Sequence, residues 1–167
     1  VARAAPDGYT LLFGTSSTHV SGAFMVKSMP YDSIKDFTPI APATSAVGVW
    51  VVHPSVPAAS VKELLTHVRA NPGKLAYGSN GVGTSYHLIT ELIKLSANLD
   101  ILHVPLSGAG EMMNSLVGGH IQMGFNSVGE IRQHVQAGKL RPLAVIAGKR
   151  FSALPDLPSL EETVPGY

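Results

Sequence analysis

Cysteine is absent from the 167-residue chain, which excludes disulfide cross-links and thiol chemistry while leaving the compartment open. Charge is scarce as well. Charged residues make up 14% of the sequence, and 12 Lys and Arg against 11 Asp and Glu leave a net charge of +1. With no basic run, nucleic acid is not an expected partner. The longest apolar stretch, Ala41 to Val52, is too short to span a bilayer and is broken by Pro42, Thr44, Ser45 and Gly48. Two catalytic signatures are also missing. The lysine of a nucleotide-binding P-loop does not follow Gly83, where Thr84 and Ser85 stand instead, and no Gly-x-Ser-x-Gly elbow occurs. His19, His53, His67, His87, His103, His120 and His134 show no metal-type spacing on one helix, so neither a metal nor another cofactor is expected. These histidines read as surface or structural residues, with His19 and His87 close to the loops considered next. The 45% hydrophobic content is ample for one core, or for two small lobes sharing a hinge.

What the chain does have is loops of glycine and hydroxyl residues at the ends of strand patterns. A strand expected at Lys74 to Tyr77 runs into Gly78-Ser79-Asn80-Gly81-Val82-Gly83-Thr84-Ser85, and a helix pattern follows with Leu88, Ile89, Leu92, Ile93 and Leu95. Such a joint aims the free N–H groups of a first helical turn, and the positive end of its dipole, at whatever occupies the loop. Neutral donors suit a small anion held reversibly better than a triphosphate with its metal. The same arrangement recurs where the expected strand Tyr9 to Phe13 ends in Gly14-Thr15-Ser16-Ser17-Thr18-His19. It recurs again where Ile101 to Val104 leads to Leu106-Ser107-Gly108, and where Ile121 to Phe125 ends in Asn126-Ser127. Ligands of open α/β sheets bind outside the carboxyl ends of strands, so four such loops point to one binding cleft.

Strand and helix patterns alternate at short spacing, which predicts an α/β fold with a mostly parallel sheet. A short helix is expected around Val20 to Lys27, and extended segments at Thr38 to Ala43 and Val47 to His53. Ser60-Val61-Lys62-Glu63 is a capping box opening a helix with Leu64, Leu65 and Val68 on its apolar face. Helices are further expected at Glu111 to Val117 and Gly129 to Ala137, and a strand at Leu140 to Ala147. Ser159-Leu160-Glu161-Glu162 forms a second capping box. Two apolar segments, Val47 to His53 and Leu143 to Ile146, read either as central strands of one sheet or as paired strands crossing between two lobes. Periodicity leaves both readings open. Val1 to Ala5 resembles the tail of a helix and no initiator Met is present, so the sequence is expected to start inside a larger protein.

Taken in order, Asp7-Gly8-Tyr9-Thr10-Leu11-Leu12, Pro30-Tyr31-Asp32, Lys35-Asp36-Phe37, Val52-His53-Pro54-Ser55, Pro72-Gly73-Lys74-Leu75-Ala76-Tyr77-Gly78-Ser79, Gly83-Thr84, His87-Leu88 and His103-Val104-Pro105 form a series. It continues with Gly118-Gly119-His120-Ile121-Gln122, Ala137-Gly138-Lys139-Leu140-Arg141, Leu143-Ala144-Val145, Lys149-Arg150, Leu154-Pro155-Asp156-Leu157-Pro158-Ser159 and Pro165-Gly166-Tyr167. This series resembles, essentially end to end, the Bug family of bacterial periplasmic solute-binding proteins, the receptors of tripartite tricarboxylate transporters. The resemblance implies a two-lobed, Venus-flytrap (type II) α/β fold with an incomplete first lobe, made of residues 1–46 and 148–167. Residues 47–147 would form lobe two with its crossing strands. It further implies a periplasmic receptor that clamps a small carboxylate solute between the lobes and delivers it to the integral membrane subunits of a secondary transporter.

On that reading Ser79, Asn80, Gly81 and Thr84 donate to the carboxylate, Ser16, Ser17 and Thr18 face them from lobe one, and Ser107, Gly108 and Asn126 meet the far end of the ligand. The plain alternative for each is a solvated turn or a helix cap. Two positions depart from the family pattern. Leu106-Ser107 stands where an aromatic and a basic residue usually precede the glycine, and Asn126 stands where an Asp is frequent. Loss of that carboxylate removes a partner for an ammonium group, so a ligand without a free amine is expected, such as a dicarboxylate or an aromatic acid. Two rival readings remain: the ligand-sensing domain of a regulator, and a hydrolase using Ser79 beside a His, with Asp100 or Glu130 as orienter.

Overall fold

The structure is a computed structural model that describes residues 1–45 and 47–166. Ala46, the expected boundary of the first lobe segment, and Tyr167, which closes the last motif, lie outside the described residues. Five strands form one sheet: β1 (Gly48–Val52), β2 (Ala76–Ser79), β3 (Leu102–Pro105), β4 (Met123–Ser127) and β5 (Arg141–Ile146), in the spatial order β3-β2-β4-β1-β5. The expected mostly parallel sheet needs correction. β2 runs parallel to β3 and β4, but β1 is antiparallel to both β4 and β5.

The two apolar segments that periodicity left ambiguous are therefore neighbours in a single sheet. Gly48 lies opposite Ile146 and Val52 opposite Arg141, with a register shift between Trp50 and Val51. Every residue of β1 is buried, as a central strand covered on both faces requires. Trp50 and Val52 point into a core shared with Tyr77, Phe125, Leu64 of α2 (Val61–Ala70) and Ile93 of α3 (Ser85–Ala97). Val49 and Val51 point the other way, toward Met112 and Leu116 of α4 (Ala109–Val117) and Ile131 of α5 (Val128–Gln136). The fold is thus a sheet between two helical layers.

Local chemistry sets the helix ends. Ser60 Oγ accepts the Glu63 N–H at 3.2 Å, a cap that stabilises α2 by ~1 kcal/mol. The reciprocal arm reaches one residue further back than a capping box requires: Glu63 Oε2 accepts the Ala59 N–H at 2.8 Å. At the chain's other end, the 3-10 turn Leu160–Glu162 has its full capping box on Ser159. Arg150 grips Glu162 through two hydrogen bonds, of 3.0 and 2.9 Å. Those bonds, with the Ser159 N–H, bring the Glu162 carboxyl down to about 2. The same segment lies against β5, where the Val145 N–H donates to the Pro158 carbonyl at 3.0 Å.

The first 45 residues diverge most from expectation. Tyr9 to Phe13 and Thr38 to Ala43 form no ladder, because among the described residues no neighbouring strand pairs with them. Tyr9 and Phe13 are accordingly exposed. The helix expected at Val20 to Lys27 is a π-helical turn, Ser17–Ser21, continued by α1 (Gly22–Met25). An aromatic cluster of His19, Tyr31 and Phe37, with centroids 5.0–6.0 Å apart, ties this segment together. Tyr31 also donates its hydroxyl to the Thr18 carbonyl at 2.8 Å.

Candidate functional site

From β2 the chain passes through α3, on one face, to β3 on one side of β2. From β3 it returns through α4, on the opposite face, to β4 on the other side. The strand order therefore reverses at β2, and the crevice outside the carboxyl ends of β2 and β4 is the position where open α/β sheets hold ligands. The loop Ser79 to Thr84 starts there.

Three helices end-on to this edge present the positive end of a dipole, and two of them already carry an acidic side chain in the first turn. At the start of α4, Glu111 Oε2 accepts the Ser107 N–H at 2.8 Å and the Ser107 hydroxyl at 2.5 Å. These bonds hold the Glu111 carboxyl below its ordinary value. At α5, Glu130 Oε2 accepts the Ser127 N–H at 2.9 Å and its hydroxyl at 2.8 Å. The first turn of α3 has no acidic residue and no side-chain cap, since Thr84 turns its hydroxyl to the Gly81 carbonyl at 2.8 Å. Its N–H groups and dipole remain open to an external anion.

They open onto a cleft of about 690 Å³. The polar lining comprises Thr15, Ser16, Ser17, Thr44, Ser45, Asn80, Thr84 and Ser85, and the apolar lining includes Leu12, Phe13, Pro42 and Tyr86. Among the described residues no charged side chain lines it. A carboxylate here would meet hydroxyls, an amide and a helix terminus, and an ammonium group would meet no counter-charge. Asn80 Oδ1 is buried without a hydrogen-bond partner among the described residues, so the cleft also presents an unused acceptor.

The cleft brings together Ser16, Ser17, Asn80 and Thr84 from the residues expected to bind. The others lie elsewhere. Thr18 Oγ1 is spent on the Thr15 carbonyl at 3.0 Å and on His19 Nδ1 at 2.9 Å. Ser79 is fully buried, because β2 extends two residues past its expected end. Its hydroxyl lies 3.1 Å from the Gly81 carbonyl and 2.7 Å from His103 Nε2, and it accepts the Gly81 N–H at 3.3 Å. Gly81, at φ +118°, lets the chain fold back onto that hydroxyl and lies outside the lining. Ser107 and Gly108 belong to the Glu111 cap, outside the lining. Asn126 is 2% exposed, with Oδ1 unpartnered among the described residues, at the carboxyl end of β4.

The Ser79–His103 contact has the distance that a nucleophile and its base require, yet the hydroxyl is sealed from any substrate and already serves the loop. Burial and the neighbouring His87 push the His103 pKa down, keeping the imidazole neutral at pH 7. Sequence reasoning missed Thr44 and Ser45, which looked only like interruptions of an apolar run. It also left Ser85, the last residue of the glycine and hydroxyl loop, and Tyr86 out of the expected binding residues. The available signal for the first pair was two adjacent hydroxyls immediately before a buried strand.

Residues 1–167 match the profile described as "Tripartite tricarboxylate transporter family receptor". A UPF0065 protein of Bordetella pertussis is 35% identical over 162 residues, covering 97% of this chain and 50% of its own. Protein BugT of the same organism is 31% identical, covering 96% of this chain and 50% of its own. Among solved structures, R. palustris Rpa4515 with adipate superposes at a TM-score of 0.94 and 34% identity, over 100% of this chain and 56% of that one. MatC from Rhodopseudomonas palustris, with bound malate, superposes at 0.85 and 26% identity, over 99% and 56% respectively. The chain spans about half the length of the curated relatives it matches.

Proposed function

The chain belongs to the tripartite tricarboxylate transporter receptor family, with the α/β architecture of two-lobed periplasmic binding proteins, and from that premise we propose that it binds a small, amine-free dicarboxylate. The observation that carries this reading is the contrast between helix termini. The first turns of α4 and α5 each carry an acidic side chain, Glu111 and Glu130, whereas that of α3 carries none and lies against a neutral cleft. One ligand carboxylate supplies at α3 the negative charge that Glu111 and Glu130 supply at the other two helices, on the N–H groups of its first turn with Thr84 and Ser85. Ser16, Ser17, Thr44 and Ser45 approach from the opposite wall and hold the remainder of the ligand through direct or water-mediated hydrogen bonds. Adipate and malate, bound by the two similar structures, are dicarboxylates of the size such a cleft accepts.

In this reading residues 1–46 and 148–167 belong to the first lobe and residues 47–147 to the second. β1 and β5 are the strands by which the chain enters and leaves the second lobe. Closure is a population shift: the ligand stabilises the closed form by its differential affinity for it. The closed receptor, acting in the periplasm and not as an enzyme, then delivers the solute to the membrane subunits of its transporter. Asn126, where an acid is frequent in the family, fits a cleft with no anion to receive an ammonium group.

The test is calorimetry of the whole protein with adipate, malate, an aromatic acid, aspartate and glutamate. Binding of a dicarboxylate that weakens in Ser17→Ala and Thr84→Val supports the reading. Tighter binding of aspartate or glutamate than of every unsubstituted acid would overturn it.

A further inference from the structure

Gly83 joins the two sides of the cleft. Its carbonyl accepts the Ser21 hydroxyl at 3.0 Å, across 62 positions of sequence, and its N–H donates to His87 Nδ1 at 3.2 Å. The residue is buried at φ +81° and packs against Met25 of α1. The next residue, Thr84, is the N-cap of α3 and lines the cleft. We propose that Ser21, Gly83 and His87 form a proton-sensitive clasp: neutral His87 holds the ligand loop onto the N-terminal segment, and protonated His87 releases it.

The argument begins with the acceptor. Nδ1 can take the Gly83 N–H only through its lone pair, which places the imidazole proton on Nε2. A second proton lands on Nδ1 and sets one N–H against another, so the loop loses its support from α3. The surroundings decide where that proton goes. The His103 ring on β3 lies 4.4 Å from the His87 ring and is stacked on Tyr77 of β2 at 4.7 Å. From α3 itself, Glu91 accepts the Tyr77 hydroxyl at 2.5 Å and pairs with Lys94 at 2.7 Å. Although burial opposes it, these hydrogen bonds hold Glu91 ionised. His103 resists protonation, through burial first and then through the charge His87 would carry. Two imidazolium charges at this separation repel, so the rings do not both carry a second proton.

Release of Gly83 has a consequence beyond the loop. With the N–H support gone, the carbonyl that Ser21 holds is no longer fixed, and one direct bond between the cleft's two walls is lost. A ligand that needs both walls then binds with proton release, so acid opposes it. This consequence for binding rests on the receptor reading above; the clasp itself does not.

The experiment is a pair of titrations of the whole ¹⁵N-labelled protein from pH 8 to 5.5. One follows the His87 imidazole and the Gly83 amide by NMR, with its exchange protection. The other follows adipate affinity by calorimetry, corrected for adipate's own protonation. The Gly83 amide is expected to shift and lose protection in step with His87, and adipate affinity to fall toward tenfold per pH unit on the acid side. His87→Asn, which places an amide oxygen near the Nδ1 position, is expected to abolish both effects. Ser21→Ala gives an independent arm, expected to flatten the affinity slope while the Gly83 amide still titrates. A Gly83 amide that stays protected through the His87 titration overturns the clasp. An amide that follows His87 while adipate affinity stays flat overturns the gating of binding. If no dicarboxylate binds at any pH, the receptor reading fails and the Gly83 titration alone decides the clasp.

Discussion

Ser79→Ala is the substitution with the largest expected effect for the fewest atoms removed. The side chain is fully buried, and its hydroxyl touches Gly81 twice and His103 once. Each partner's fate can be followed. The Gly81 carbonyl keeps the Thr84 hydroxyl at 2.8 Å, so it is not orphaned. The Gly81 N–H loses its acceptor at a half-buried position that water reaches. His103 Nε2 loses its 2.7 Å partner, the fully buried Ser79 hydroxyl, on a ring stacked between Tyr77 and His87. One orphaned buried group costs about 1–3 kcal/mol and one replaceable hydrogen bond about 0.5–1.5 kcal/mol, so the expected loss is ~3 kcal/mol. For a domain of this size each kcal/mol is worth about 2–4 °C, which puts the drop in Tm at roughly 6–12 °C. Urea and thermal unfolding of the whole protein measure it. Ser79→Ala with His103→Phe completes a cycle in which the double variant should lose less than the sum of the singles, because the orphan is then removed. A Ser79→Ala protein within about 0.5 kcal/mol of the parent, the range of a neutral surface change, would refute the account of this loop.

Three further outcomes are expected. The folded-state pKa of His103 lies below the ordinary 6.5, so the unfolded chain binds its proton more readily. That stability is complete above the unfolded value and is lost as pH falls below about 6.5 toward the folded value, so the urea midpoint should decline between pH 7.5 and 5.5, and less steeply in His103→Gln. Ser127→Ala removes the hydroxyl of the α5 capping box and should cost ~1 kcal/mol in the same assay, with adipate affinity unchanged because Ser127 is not part of the cleft lining. Ser17→Ala, in the cleft, should do the reverse, weakening adipate by about 0.5–1.5 kcal/mol, or two- to tenfold, with no measurable change in urea midpoint.

Much of this was legible in the residues because the relevant chemistry is local. Ser60 and Glu63, or Ser159 and Glu162, declare helix starts within four positions, and the glycines at 81 and 83 mark a sharp turn before α3. Errors followed wherever a partner lies far along the chain. Tyr9 to Phe13 has the composition of a buried strand, but a strand exists only through a neighbour to pair with. The parallel sheet was a sound default for alternating elements, yet β1 pairs with strands more than 70 positions later and runs against both. Ser79 shows how little error matters: a strand end misplaced by two residues turns a solvent-facing hydroxyl into an interior one. Ser107 shows competition, since Glu111, four residues on, takes the donors that a ligand was expected to use. Thr44 and Ser45 carried no motif, and only the third dimension brings them opposite Thr84.

The adjacency of β1 and β5 also bears on how the protein is made. Gly48 lies beside Ile146, so the polypeptide between them begins and ends at neighbouring points of one sheet. All five strands of that sheet are synthesised within one uninterrupted stretch, and the Pro158–Ser159 segment that β5 also contacts follows it directly. As translation proceeds at about 5–20 residues per second, this stretch is complete within seconds to tens of seconds, and its sheet can close as soon as β5 leaves the ribosome. The first 45 residues emerge earlier, yet their extended segments form no ladder among the described residues. A protease acting on nascent chains is therefore expected to find the middle of the chain resistant before its beginning.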